Sequence, residues 1–399
     1  MLKNPSPTLL LWIAFLSFIS IGLQSGALSV AWLSMQGTFG VTLESLGILL
    51  IANTVGSFFV SFYSGAIIAR SSVGAFCLAG TVFGLVGLAL VSVTPVWSGL
   101  VVAAFLLGIG RSGINAGINT FVADAYPSSR MNWLHAIYGV GSTLGPLLIT
   151  FIVADLGRAW QMGYLVLLAF HLMIALLFLI TLKHWRLNEV TSAETTNRKG
   201  PSMTSSLKLL PVWLGVALFI SHVGIQLSTG QLTNNLFVEG RNIDPKTAGI
   251  WISLFWAFIT AGRVFFGILV DRIGIARVLR FATFGTVIGA ALIWWNPREA
   301  VSFLGLALMG FTIAPVFPSS VSRTPQLVGT RHSPNAIGIQ MAGAALGGAI
   351  IPGLVGYFAD NFGLELIPPC LVVIALVQFL IHEAVSMQER RQVEVMASG

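Results

Sequence analysis

The chain has 399 residues, of which 55% are hydrophobic and only 9% charged, with a mean hydropathy of +0.87. Soluble chains carry about 25% charged residues, and the 43 glycines and 27 phenylalanines here suit helices packed within lipid. Soluble globular, disordered, collagenous, coiled-coil and disulfide-stapled proteins are excluded.

Apolar stretches of about 20 residues predict twelve membrane spans, with approximate limits 9–31, 44–69, 73–93, 96–122, 132–153, 160–182, 211–236, 247–270, 278–296, 300–322, 334–358 and 366–386. The first run shows no A-x-A site and reads as a span rather than a cleaved signal peptide. An even number of spans puts both termini on one side. If that side is cytoplasmic, it collects fifteen Lys and Arg against four opposite, with Arg111 and Arg263 left inside spans. This is the positive-inside distribution. It accounts for the net charge of +7 without nucleic acid as a partner. Cys77 and Cys370 lie in apolar runs and read as small core residues. Trp97, Trp160, Trp213, Trp294 and Trp295 fall at span ends and read as an interfacial belt.

The one long hydrophilic stretch, Lys183 to Lys208, has no apolar period and reads as a cytoplasmic linker. It separates residues 1–182 from 209–399, six spans each. A shift of 202 residues superposes landmarks of the two halves without a gap. Gly22 and Gln24 fall on Gly224 and Gln226, Gly47 and Gly65 on Gly249 and Gly267, and Arg70 on Arg272. Gly108 falls on Gly310, Gly141 on Gly343 and Gly145 on Gly347. The chain is thus an all-α integral membrane protein of two six-helix bundles in pseudo-twofold parallel repeat. Secondary transporters are built in this way, around a central cleft.

Gly267-Ile-Leu-Val-Asp271-Arg272-Ile-Gly274 resembles the G-x-x-x-D-[RK]-x-G signature of the major facilitator superfamily (MFS). The copy after span two has Ala69 where that signature has Asp. Asp124-Ala-Tyr-Pro127-Ser-Ser-Arg130 is similar to the superfamily's D-x-[FY]-P-x-x-x-R. Within it, Asn132 to Pro146 resembles span five of fucose-permease-like sugar transporters; Asn115, Asn119 and Ala314-Pro315-Val-Phe317-Pro318 fit related patterns. The resemblance implies the MFS fold and alternating access. It also implies a latch of Asp271 and Arg272 at the cytoplasmic start of span five, near Arg130, with Asp124 in the inner loop network. A carboxylate is favourable at such a helix N-terminus.

Proton symporters of that branch carry carboxylates in spans one and four. The corresponding positions here are near Ser29 and at Asn115. None of the fourteen acids falls at the middle of a span, whereas proton coupling usually uses an intramembrane carboxylate or histidine. Facilitated rather than proton-driven movement is therefore expected, with His135 and His222 the only candidates for coupling.

Interior polar residues are the candidate substrate contacts. Gln24 and Gln226 occupy equivalent places in spans one and seven, and an amide offers both donors and an acceptor for sugar hydroxyls. On a 1.5 Å rise from residue 9, Gln24 is expected past the midplane. The alternative for each is an interhelical hydrogen bond. His222 lies four residues before Gln226, on one face. Its alternative is a neutral core histidine bonded to a neighbouring helix. His135 stands where the branch places a polar substrate contact. Asn115 and Asn119 share a helical face with Arg111, which favours a wet cavity over lipid. Asn234 with Asn235, Gln340, and Trp256 stacked on a sugar face complete the set, with aromatic packing as the other explanation of Trp256.

Arg111, mid-span with no acid at its depth, binds either backbone carbonyls or an anionic substrate. It supports an alternative reading as a drug or organic-anion antiporter, as does Gly141-x-x-x-Gly145-Pro146, which resembles a drug-antiporter motif and otherwise serves helix packing. A non-transporting membrane sensor or lipid-handling protein is the third reading. No zincin, Walker or nucleophile-elbow motif is present, so neither an enzyme nor a cofactor is expected. The expected protein is a monomeric transporter of a small neutral polyhydroxy solute, a monosaccharide, in a bacterial inner membrane with both termini cytoplasmic.

Overall fold

Backbone groups in hydrocarbon must be satisfied within their own segment, and the apolar runs meet this demand as helices throughout. The computed structural model describes residues 7–126, 128–185, 203–329 and 331–398. Its helices are α1 (Pro7–Phe39), α2 (Ser45–Arg70), α3 (Val73–Val93), α4 (Trp97–Ala125), α5 (Ser128–Thr150) and α6 (Gln161–Thr181). They continue with α7 (Leu210–Asn235), α8 (Pro245–Ile273), α9 (Ile275–Trp295), α10 (Glu299–Ile313), α11 (Val316–Val328), α12 (Ser333–Phe362) and α13 (Ile367–Ser398). Among the described residues there is no strand, and twelve stretches are long and apolar enough to cross a membrane, α10 and α11 together forming one. Most of the predicted linker, residues 186–202, lies outside the described residues.

Several helices run past the expected spans, while α3 matches its predicted limits and α6 stays within them. α1 continues from the predicted limit at residue 31 to Phe39 and stops at Gly40, whose φ of +62° is open to glycine. Gly40 and Val41 both donate to the Gln36 carbonyl there. α4 stops at Ala125 because Tyr126, which precedes Pro127, is extended.

The chain divides into two units. The first is Met1–Arg198 with Asp244–Ser253; the second is Lys199–Ile243 with Leu254–Gly399. In the first, α1 packs on α5 and α6, α3 on α4 and α6, and α2 on α4. In the second, α7 packs on α12 and α13, and α9 on α10 and α13. The start of α8 belongs to the first unit by its contacts, and Lys246 Nζ lies 2.5 Å from Asp155 Oδ1.

Glycine sets the closest approaches. A Cβ on Gly22 would lie 2.3 Å from the Tyr138 carbonyl oxygen, and one on Gly26 2.2 Å from that of Ser142. In the facing helix, Gly141 and Gly145 would meet the carbonyls of Ile19 and Leu23 at 2.3 and 2.4 Å. The Gly141-x-x-x-Gly145 motif is thus used to bring the α5 backbone onto α1. The repeat appears in the same currency of contact: Gly108 faces the Asn53 carbonyl and Gly310 faces that of Phe255, each pair displaced by 202.

The first unit closes at Trp185, three residues into the segment read as linker. A 3₁₀ turn, Leu182–His184, delivers this fully buried ring onto Phe121 and Phe178, with centroids 4.7 and 5.0 Å away. Its Nε1 donates to Thr181. Of the tryptophans read as interfacial, Trp213, Trp294 and Trp295 are exposed at or near helix ends, as that reading requires. Trp160 is instead packed inside its unit, 3% exposed, and donates to Thr38 at 2.9 Å. The extra turns of α1 explain this, because they bring Thr38 and Phe39 alongside that ring.

In the second unit, Arg241 ties four segments together. Nε and Nη2 donate to Glu365 at 2.7 and 2.8 Å, Nη1 to Ser302 Oγ at 2.8 Å, and Nη2 to the Ile293 carbonyl at 2.9 Å. A planar fork of donors suits this set, and a lysine would serve only part of it.

The glycine contacts make one prediction. Gly145→Ala should lower unfolding stability in detergent by about 1–3 kcal/mol, the usual cost of overpacking. Gly267→Ala, with nothing within 4 Å of the new methyl, should not lower it. Equal melting of the two variants would contradict the packing described.

Candidate functional site

The longer α1 moves Gln24 to its centre, about 26 Å from Pro7 and about 22 Å from Phe39 at 1.5 Å per residue. Gln24 is half-buried, and its Nε2 lies 3.4 Å from both Ser20 Oγ and His171 Nδ1. Ser20 Oγ and His171 Nδ1 share a hydrogen bond of 2.7 Å, so α1 is joined to α6 at mid-depth. Gly84 on α3 leaves room for the other side of that ring: a Cβ there would lie 2.4 Å from Nε2.

The repeat places His222 where the first half has Ser20. His222 is buried, and its Nδ1 lies 3.2 Å from Nε2 of the fully buried Gln378 on α13. Each unit therefore carries one histidine-containing tie at the same point, with the histidine on opposite partners. Neither His171 nor Gln378 was singled out from the sequence. The equivalence of Ser20 and His222 was the signal, and it pointed to a partner only once the sixth helix of each unit was in place.

The other candidates fall into distinct settings. Gln340 is buried and accepts from Thr324 Oγ1 at 3.0 Å, while its Nε2 fills the space over Gly215. Like His222, it is engaged within its own unit. Gln226 is half-buried and makes no hydrogen bond with the described residues. His135 lies two turns into α5 and is exposed, with its ring edge-on to Phe18 at 5.6 Å. In α4, Asn115 is exposed and accepts from Asn119 Nδ2 at 3.0 Å. Arg111 shares that face, half-buried. Asp124 ends α4 half-buried, and Arg130 and Arg272 are exposed. Asp271 lies in the last turn of α8, and its side chain is outside the described set.

The densest polar feature is on α7. Ser228, Thr229, Gln231, Thr233, Asn234 and Asn235 are all buried. Ser228 Oγ, Thr229 Oγ1, Thr233 Oγ1 and Asn234 Oδ1 have no hydrogen-bond partner among the described residues. Trp256 rests on this stretch at Gly230, where a Cβ would lie 2.8 Å from its ring. Only the asparagines of this run stood out in the sequence; short hydroxyls are common in spans and gave no separate signal. Among the described residues no three His, Cys, Asp or Glu converge as metal ligands.

Duplicated six-helix units with buried polar side chains inside spanning helices are the build of a membrane transporter. The sequence profile of the Major Facilitator Superfamily matches residues 10–233 and 214–392, and the chain belongs to that superfamily. The glucose/mannose transporter GlcP of Bacillus subtilis is 24% identical over 312 residues, 75% of this chain and 76% of GlcP. Among solved structures, the nucleoside transporter NupG superposes with a TM-score of 0.73 at 15% identity, covering 96% of this chain and 99% of its own. FucP in the outward conformation gives a TM-score of 0.63 at 18% identity, with 95% and 98% covered.

The histidine ties make the second prediction. Ser20→Ala should cost about 1–3 kcal/mol of stability by removing the close partner of a buried ring nitrogen and leaving it only the longer contact to Gln24 Nε2. Combining it with His171→Leu should cost less than the sum of the two single changes. Additive losses in that double-mutant cycle would mean that the two side chains do not interact.

Proposed function

We propose that this transporter carries a small polyhydroxy solute of monosaccharide size by alternating access, and that it works by facilitation. The observation that carries the reading is the α7 run from Ser228 to Asn235. A buried polar group without a partner costs about 1–3 kcal/mol, and four such atoms lie within eight residues. Hydroxyls that donate and accept at once are the natural complement of side-chain hydroxyls and amides, and an indole such as Trp256 offers a flat apolar face beside them. The name of the relative GlcP supports the same solute class. Gln24 and Gln226, each half-buried in the first helix of its unit, are the further contacts we assign.

The carboxylates among the described residues lie towards helix ends except Glu383, midway along α13 and paired with Arg280, and His222 is already bonded to Gln378. Neither observation favours a proton-linked cycle. The distribution of Lys and Arg supports cytoplasmic termini, and the short loops without an N-x-S/T acceptor suit a bacterial inner membrane.

The test is counterflow of a panel of radiolabelled sugars by purified protein in liposomes. Asn234→Ala and Gln226→Ala should each weaken half-saturation by about 2- to 13-fold, the range of one neutral hydrogen bond. Exchange should proceed without a pH gradient, and imposing one should give no accumulation above equilibrium. Concentrative uptake driven by a pH gradient would show the facilitative part to be wrong, and no exchange of any sugar or sugar acid would remove the solute class.

A further inference from the structure

Arg111 is the fifteenth residue of the 29-residue α4, about 21 Å from either end at 1.5 Å per residue. A guanidinium at that depth stays charged and is costly unless matched. It takes part in none of the ion pairs of the described residues and makes no hydrogen bond with them. The residue one turn on is Asn115, an amide, where an acid would neutralise it. The nearest acid on the same helix, Asp124, is thirteen residues or about 20 Å away along the axis.

The direction of the side chain matters as much as its depth. Nine residues separate Arg111 from Val102, which is 52% exposed and marks the outer face of α4. At 100° per residue nine residues make a half turn, so Arg111 points away from that face. The neighbouring sectors are taken: Ser112 meets Ser61 of α2, while Gly110 and Gly113 lie against Gly80 of α3. Arg111, Asn115 and Asn119 remain as a polar strip on the sector of α4 turned away from Val102. Nor does the fold require the charge. The repeat offset carries Arg111 to Ile313, a buried apolar residue at the same place in the second unit.

We infer that Arg111 receives a carboxylate of the transported solute, which is therefore a sugar acid, a uronate or aldonate, rather than a neutral hexose. This rests on the polyhydroxy-solute reading above and adds one charge to it. A guanidinium fork matches a carboxylate in two parallel hydrogen bonds. The count also favours a carboxylate over a phosphate ester, which brings a charge of about −1.5 to −2 against one unmatched cation. Asn115 and Asn119 extend the strip with amides suited to the hydroxyls that follow the acid carbon.

The experiment measures binding and counterflow of glucuronate, gluconate, glucose and lactate with the purified full-length chain in liposomes. The wild-type protein should prefer glucuronate or gluconate to glucose by at least about tenfold, equal to about 1.4 kcal/mol. Arg111→Gln should bring that ratio close to one, and Arg111→Lys should restore only part of it, since charge alone lacks the fork. A wild-type protein that takes glucose as well as or better than the sugar acids overturns the inference and leaves the sugar reading standing. Lactate bound as tightly as glucuronate, with glucose competing against neither, overturns both. The wild-type ratios decide the matter even if the variants fail to fold.

Discussion

Contact between helix backbones, with no side chain in between, is the constraint on which the rest of this structure depends. Gly22 and Gly26 on α1 interleave with Gly141 and Gly145 on α5. At that distance packing is governed by main-chain geometry, and the helices cannot turn about their axes to hide a polar group or expose another. The mid-depth positions of Gln24, Ser20 and His171 follow from it. In lipid, where burial of apolar surface offers little drive for helices to associate, such close approach supplies much of the attraction as well as the register.

The two units show what a duplicated fold keeps and what it lets change. Main-chain approaches persist, as with Gly108 on Asn53 and Gly310 on Phe255. Side-chain chemistry is exchanged around them. Ser20 bonded to His171 becomes His222 bonded to Gln378, so the tie survives a swap of its members. Arg111 becomes Ile313. The α7 run from Ser228 to Asn235 is concentrated in one unit, where it meets Trp256. The fold's symmetry is thus a scaffold for a chemically asymmetric interior.

Span number, duplication and superfamily were legible because they rest on properties local to the chain: apolar run length, a constant offset between glycines, and short signature loops. The ends of α1 were less so, since Gln36, Gly37 and Thr38 look like loop residues until Gly40 is seen to end the helix. Partnerships were the least legible. Whether Gln340 faces a solute or Thr324 depends on the rotation of α12, and an almost uniformly apolar helix carries no amphipathic stripe from which to read rotation. Trp160 illustrates the same limit: a span-end position is visible in sequence, the Thr38 hydroxyl that receives its N–H is not.

The tenth span is made of two helices, α10 and α11, parted at Ala314 and Pro315. Proline has no N–H to return to the residue four back, which is Phe311. That carbonyl is approached from α8 by Gly262, where a Cβ would lie 2.3 Å from its oxygen. A Cα–H in this position is a weak donor, a small replacement for the missing amide. The span is therefore softest at a point where its bending is felt by another helix, and where side-chain bulk on α8 would jam it. At this point of the span, flexure meets one absent amide hydrogen at Pro315 and one absent methyl on α8.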